Sequence, residues 1–150
     1  MPNKIEQFKR EHAFLSNFFL TPVTHKGLTF PSAEHAYQAS KCADASEVPQ
    51  FLNPHMTARQ AKKCGKTVKP VPNLDARLVS LMRDVIASKF SQGSGMAQLL
   101  LDTDDAILIE GNWWGDTYWG VSDTTGQGEN HLGKLLMERR DELRCLEPLP

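Results

Sequence analysis

Two stretches of the 150-residue chain gather side chains able to do acid–base or nucleophilic chemistry. The first is Pro31-Ser-Ala-Glu34-His35-Ala-Tyr37-Gln38-Ala-Ser-Lys41. On a helix, Glu34, Gln38 and Lys41 stand at i, i+4 and i+7, one stripe of polar groups along a single face. Glu34 then lies in the first turn, where the helix dipole favours its anionic form. The plainer account is that any surface helix prefers an acid near its start and a lysine further on. The second stretch is Ile109-Glu-Gly-Asn112-Trp-Trp-Gly-Asp116-Thr-Tyr118-Trp119-Gly, followed by Gly126-Gln-Gly128-Glu-Asn130 leading into a helix. It holds all three tryptophans, and six of the ten glycines fall between Gly111 and Gly133. Asp116 is flanked by Trp114, Tyr118 and Trp119, and rings that exclude water would favour its protonated form and make it a proton donor. A Gly-rich turn entering a helix offers N–H groups that can hold a phosphate, so Gly128 and Asn130 become candidate binding residues. Core tryptophans beside an ordinary turn are the plainer account here.

Together these stretches supply two carboxylates, an aromatic wall, a lysine and a phosphate-holding turn. Cleavage at a sugar C1 needs such parts. One acid protonates the leaving group, a carboxylate steadies the oxocarbenium-like centre or activates water, and an aromatic face stacks on a base. Spacing alone leads no further.

Other familiar signals fail. Gly65-Lys66-Thr67 ends like a P-loop, but the glycine required five residues earlier is Gln60. His131 stands where a dinucleotide-binding fingerprint beginning at Gly126 needs its third glycine. The five histidines are scattered and suggest no metal site.

The elements that must position the two stretches can be read from pattern. Phe14–Phe19 and Val23–Phe30 read as short strands, the second turning at Lys26-Gly27. Ser32 is the expected N-cap of a helix from Ala33 to about Ala45. Thr57-Ala-Arg-Gln60 fits a capping box, and the helix it opens stops at Gly65. Residues 68–72 form a Pro-containing loop. A longer helix follows Asn73, with Leu74, Leu78, Leu81, Met82, Val85 and Ile86 near helical spacing. Gly93-Ser-Gly95 breaks it before a short helix from Met96 to Leu101. Ala106–Ile109 reads as a buried strand, and a last helix starts near Asn130 with Leu132, Leu135, Leu136 and Leu143 inward. The expected fold class is α+β, a mostly helical single domain over residues 1–150 around a small antiparallel sheet.

Composition agrees with a compact fold. Hydrophobic residues make up 40% and the formal net charge is -1, which argues against disorder and against non-specific nucleic-acid binding. Lys62, Lys63, Lys66 and Lys69 remain a possible local basic patch, or an ordinary solvated face. The start of the chain shows no apolar leader, and no apolar run approaches the roughly 20 residues that span a bilayer. Cys42, Cys64 and Cys145 cannot all pair, which suits a reducing compartment. A cytoplasmic protein without membrane association is the expectation.

The chain resembles the NADAR (NAD- and ADP-ribose-associated) family, which includes YbiA-like N-glycosidases. The resemblance is carried by Leu15-Ser16-Asn17-Phe18, Phe30-Pro-Ser-Ala-Glu34-His-Ala-Tyr-Gln38 with Lys41, Ala61-Lys62 before Gly65, and Ser88-Lys89-Phe90. The strongest blocks are Asp116-Thr-Tyr118-Trp119-Gly120 and Gly128-Glu-Asn130-His-Leu132-Gly133, closing at Arg139 or Arg140. Asn112-Trp-Trp-Gly115 replaces a more variable stretch, and Lys66 stands where an arginine is frequent. The resemblance implies hydrolysis of the bond between ribose C1 and an exocyclic amine, in ADP-ribosylated guanine or a ribosylaminopyrimidine phosphate. It carries over Asn17, Glu34, Lys41, Asp116, Trp119 and Asn130. With Tyr118 and Gly128 added from the residues themselves, Glu34, Asp116 and Lys41 are the expected catalytic groups and Asn17, Tyr118, Trp119, Gly128 and Asn130 the expected substrate contacts. No cofactor and no metal are expected. The expected partner is a small phosphoribosyl or ADP-ribosyl substrate, carried on nucleic acid or free. Two routes fit: acid–base cleavage through Asp116 and Glu34, or attack by Lys41 on a ring-opened glycosylamine to give a Schiff base. A non-catalytic ADP-ribose or NAD sensor shares the same pocket, and a partner-binding domain would use the tryptophans as interface anchors.

Overall fold

A computed structural model describes residues 3–146, and within it the chain forms two compact units. One spans Asn17–Lys89; the other joins the chain up to Ser16 with the chain from Phe90 onward. In chain order the strands are β1 Lys4–Ile5, β2 Leu20–His25, β3 Leu28–Ser32, β4 Ile107–Leu108, β5 Gly111–Asn112 and β6 Val121–Ser122. The α-helices are α1 Ala33–Ser40, α2 Ala58–Cys64, α3 Leu74–Lys89, α4 Gly95–Leu101 and α5 His131–Leu146. The helical character and the short sheets bear out the expected α+β class.

In the unit Asn17–Lys89, β2 and β3 form an antiparallel hairpin that turns on Lys26 (φ 52°) and Gly27 (φ 82°). Positive φ at both positions gives the turn whose twist matches the flanking strands. Register runs Val23 to Phe30, Thr24 to Thr29 and His25 to Leu28, and it slips between Leu20 and Val23, where Pro22 cannot donate to the ladder. β3 runs directly into α1. Ser32 caps that helix by accepting from the His35 N–H. Three alanines of α1 (Ala33, Ala36, Ala39) are buried, so its backbone packs close to α2, α3 and the hairpin. His35 is a satisfied core residue, its two ring nitrogens 2.6 Å from Ser32 Oγ and 2.7 Å from the Met56 carbonyl. α2 carries the expected capping box, with Thr57 Oγ1 and Gln60 Oε1 each accepting from the other's backbone N–H. Leu81, Met82, Val85 and Ile86 of α3 face the core, while two short 3-10 turns, Ala45–Glu47 and Pro49–Leu52, bring in the fully buried Phe51.

α1 ends at Ser40, a turn earlier than its pattern suggests. The chain leaves the helix to pair with a distant segment. Cys42 bridges Pro70, the Ala43 N–H donates to the Lys69 carbonyl, and the Val71 N–H donates to the Lys41 carbonyl.

In the other unit, β1 pairs in parallel with β4, and β5 in parallel with β6. The small antiparallel sheet is therefore the hairpin alone, and two parallel strand pairs accompany it. No strand forms over Phe14–Phe19: Phe14 and Leu15 close a 3-10 helix, Arg10–Leu15, that buries both side chains, and residues 16–19 follow as turn and bend. Alternation in a strand would have sent one of those two side chains to the opposite face. α5 buries Leu132, Leu135, Leu136 and Leu143 as its spacing predicts. Among the described residues, no helix is long and apolar enough to cross a membrane.

Candidate functional site

The polar stripe of α1 forms as its spacing requires, but it is not a solvated surface stripe. Glu34 is 6% and Gln38 3% exposed. Gln38 Nε2 donates to Glu34 Oε1 at 2.7 Å, and the Glu34 backbone N–H donates to the Asn17 carbonyl at 3.0 Å. Asn17 is itself buried; its Nδ2 points at Met82 Sδ at 3.3 Å, and its Oδ1 finds no hydrogen-bond partner. Lys41 sits just past the helix end, with Nζ 4.7 Å from the centroid of the Tyr37 ring. Burial lowers the Lys41 pKa below the ordinary lysine value, the Glu34 carboxylate pulls it back up, and the positive charges of Lys62 and Lys66 push it further down. The two effects of Glu34 and burial are opposite in sign, and burial dominates. Asn17, Glu34, Gln38 and Lys41 thus form one cluster in the unit Asn17–Lys89. Burial of this kind favours the neutral amine, which is the form able to act as a nucleophile.

Sequence reasoning assigned no role to Lys89, a second unusual lysine in this unit. It is 3% exposed, stands 6.0 Å from the Phe19 ring centroid, and burial lowers its pKa to about 7. Its signal was present in the pattern. Met82, Val85, Ile86 and Lys89 stand at i, i+3, i+4 and i+7, which places the lysine on the inward stripe of α3.

The Trp/Gly stretch lies in the other unit and is organised by Asn112, which is 1% exposed. Its Nδ2 donates to the Asp116 carbonyl at 2.9 Å and to Glu110 Oε2 at 3.0 Å, while its Oδ1 accepts from the Asp116 N–H at 2.9 Å. Asp116 Oδ1 accepts from the N–H groups of Tyr118 at 3.1 Å and Trp119 at 2.9 Å. Tyr118 meets Trp119 edge-on with centroids 5.0 Å apart, and tilts against His131 at 4.5 Å. The carboxylate therefore folds the loop that presents the Tyr118–Trp119 pair.

Two expectations for this stretch are corrected. Its tryptophans do not seal Asp116 from water. Trp113 is 74% and Trp114 50% exposed, the two rings stand perpendicular at 5.7 Å, and Asp116 itself is half-buried. Nor is the turn into α5 an open phosphate cradle. The N–H groups of Glu129, Asn130, His131 and Leu132 donate to the carbonyls of Thr117, Gly120, Tyr118 and Trp119. Gly128 serves that packing: a Cβ there would overlap the Gly120 carbonyl and stand 2.7 Å from Val121 Cα. Asn130 spans two backbones, with Nδ2 donating to the Leu108 carbonyl at 2.9 Å and Oδ1 accepting from the Glu110 N–H at 3.0 Å. Asp116, Tyr118, Trp119, Gly128 and Asn130 are brought together, as parts of one braced loop.

Among the described residues, no group of three or more His, Cys, Asp or Glu side chains is placed to hold a metal ion. Cys42, Cys64 and Cys145 are free thiols.

The NADAR domain family model matches residues 5–144, and the chain belongs to that family. Escherichia coli (strain K12) N-glycosidase YbiA is 34% identical over 136 residues, which cover 89% of this chain and 82% of that protein. An N-glycosidase of Nostoc punctiforme is 32% identical, covering 87% of this chain and 85% of the relative. A riboflavin biosynthesis protein of Vibrio vulnificus is 35% identical across 89% of this chain, which corresponds to 36% of that longer protein. The NMR structure of E. coli YbiA superposes with a TM-score of 0.83 at 30% identity, covering all of this chain and 92% of that one.

Proposed function

We propose that this chain is an N-glycosidase that hydrolyses the bond between ribose C1 and an exocyclic amine, in ADP-ribosylated guanine or a ribosylaminopyrimidine phosphate. The observation that carries the reading is Lys41, desolvated at the end of α1 and within the field of the buried Glu34 carboxylate. The names of the N-glycosidase relatives give it independent support.

Lys41 favours the Schiff-base route. A glycosylamine whose nitrogen is exocyclic can open to an imine at C1. The neutral Lys41 amine adds to C1, both of its N–H protons pass in turn through Glu34 to the original nitrogen, and the C1–N bond breaks to release that nitrogen as the free amine. Water adds to the C1–Nζ imine that remains, its two protons pass to Nζ, and the sugar departs as its aldehyde, which restores the Lys41 amine. In the other unit, Asp116 holds the backbone of Tyr118 and Trp119 in place. Lys62 and Lys66 are exposed near Lys41 and suit the substrate phosphates. Three free thiols fit a cytoplasmic setting.

The test is turnover of both substrate classes in parallel, with borohydride added during turnover. Release of the amine product and a reduced sugar adduct on Lys41 are expected. Absence of release from both classes overturns the reading; release by the parent without any adduct, together with an active Lys41→Ala variant, returns the acid–base route.

A further inference from the structure

The helix stop at Gly65 looks conventional, yet its backbone does not require glycine. Gly65 has φ −61° and ψ −18°, a right-handed conformation open to every residue. What it lacks is room. A Cβ on Gly65 would overlap Gln38 Oε1 and stand 2.6 Å from Gln38 Cδ and 3.1 Å from Cγ. The space a side chain would take is filled by a carboxamide from another helix.

That carboxamide serves Glu34. Its Nε2 donates to Glu34 Oε1 at 2.7 Å, and its Oε1, 3% exposed with the rest of the side chain, has no hydrogen-bond partner. The orientation is fixed by charge, since turning the amide over would set its oxygen against the carboxylate. A buried carbonyl left without a donor is costly, so the arrangement trades satisfaction of Oε1 for a fixed donor on Glu34.

We infer that Gly65 is a seat for Gln38, and that the seated Gln38 is a positioning residue which fixes the Glu34 carboxylate for its work with Lys41. The inference rests on the proposed function for the word "work", but the seat itself is independent of any substrate. Neither Gly65 nor Gln38 needs to touch the reacting atoms.

Three variants test it: Gln38→Met, which keeps the volume and removes the donor, Gly65→Ala, which fills the seat, and the double variant. Each single change is expected to lower kcat about tenfold to a hundredfold, the scale of one lost hydrogen bond to a charged group. KM should stay within about twofold, since the loss falls on the chemical step. The double variant should be no slower than the slower single one, because both changes remove the same contact. The Glu34 carboxyl resonance in 13C-glutamate-labelled protein, identified by its loss in Glu34→Gln, should shift in the same direction in both single variants. Thr57→Ala, which loosens α2 from its other end, should leave that resonance and kcat unchanged. A parental Glu34 resonance in Gly65→Ala, or multiplicative losses in the double variant, overturns the inference. Should Gly65→Ala fail to fold, Gln38→Met alone decides: a parental resonance there overturns the inference equally. If the parent turns over no glycosylamine, the proposed function fails while the resonance still decides the seat.

Discussion

The α1 cluster and the Asn112–Asn130 loop present the same residue types and use them in opposite ways. In the first, polar side chains face one another inside apolar surroundings, and charge is kept where solvation is poor: Lys41 is depressed by burial, and Lys89 in the same unit reaches about 7. In the second, the polar side chains bind backbone. Asn112, Asp116 and Asn130 together take up N–H and carbonyl groups of the loop and of neighbouring strands. A desolvated charge is poised to react; an amide whose every atom is occupied is poised to hold shape. Both stretches looked equally chemical in the sequence because spacing reports which side chains share a face, not what they touch.

The contrast is broken most severely through Lys41. Lys41→Met, close in volume but without an amine, should lower kcat by about a thousandfold or more, as removal of a nucleophile does. Steady-state turnover on a ribosylated amine checks it, and a small loss would move the chemistry away from α1. The parent's kcat/KM should rise with pH as Lys41 loses its proton, with a midpoint below the ordinary lysine value of 10.5.

Stability separates the regions next. Lys89 has a folded pKa near 7 against an ordinary 10.5, so between those values the unfolded chain binds more protons than the folded one. Stability then rises with pH across that window, by at most about 1.4 kcal/mol per pH unit for one group. Urea midpoints at pH 7, 8 and 9 should climb in the parent and lie flatter in Lys89→Met. Asn112→Ala strips a buried amide from its contacts with Asp116 and Glu110 and should cost about 2–4 kcal/mol without any such pH slope.

How much of this was legible depends on the range of the interaction that decides it. Local signals were reliable: the Ser32 cap, the Thr57–Gln60 box, the Lys26-Gly27 turn and the leucine stripe of α5 each involve neighbours within a turn or two. The end of α1 was not legible, because the bridge from Cys42 to Pro70 spans far more chain than any propensity window. The open phosphate turn failed for the same reason. Nothing in Gly126-Gln-Gly128 announces that carbonyls from Thr117–Gly120 have already taken the N–H groups. The α1 stripe was placed correctly, but its burial depends on packing against α2 and α3, and the surface-helix account lost only once that packing was seen.

The smallest expected effects test the loop from its two sides. Asp116→Asn retains an Oδ1 able to accept from the Tyr118 and Trp119 N–H groups, so a carboxylate that only holds shape should be replaced with a kcat loss below about tenfold; a loss near a hundredfold is the scale of a missing general acid and would make the two regions chemical equals. Trp113→Ala is gentler still. At 74% exposure the Trp113 ring covers little, and its contact with Trp114 is an edge-on pair in water, so melting should shift by no more than about 0.5 kcal/mol equivalent. Trp119→Ala removes a ring packed against Tyr118 beside the α5 start, and it should weaken binding of a base-bearing substrate by about 1–3 kcal/mol if that face stacks. A binding loss in Trp113→Ala with none in Trp119→Ala would mean that the exposed indoles, not the braced one, meet the ligand, and the loop's bracing would then serve to hold Trp113 and Trp114 outward.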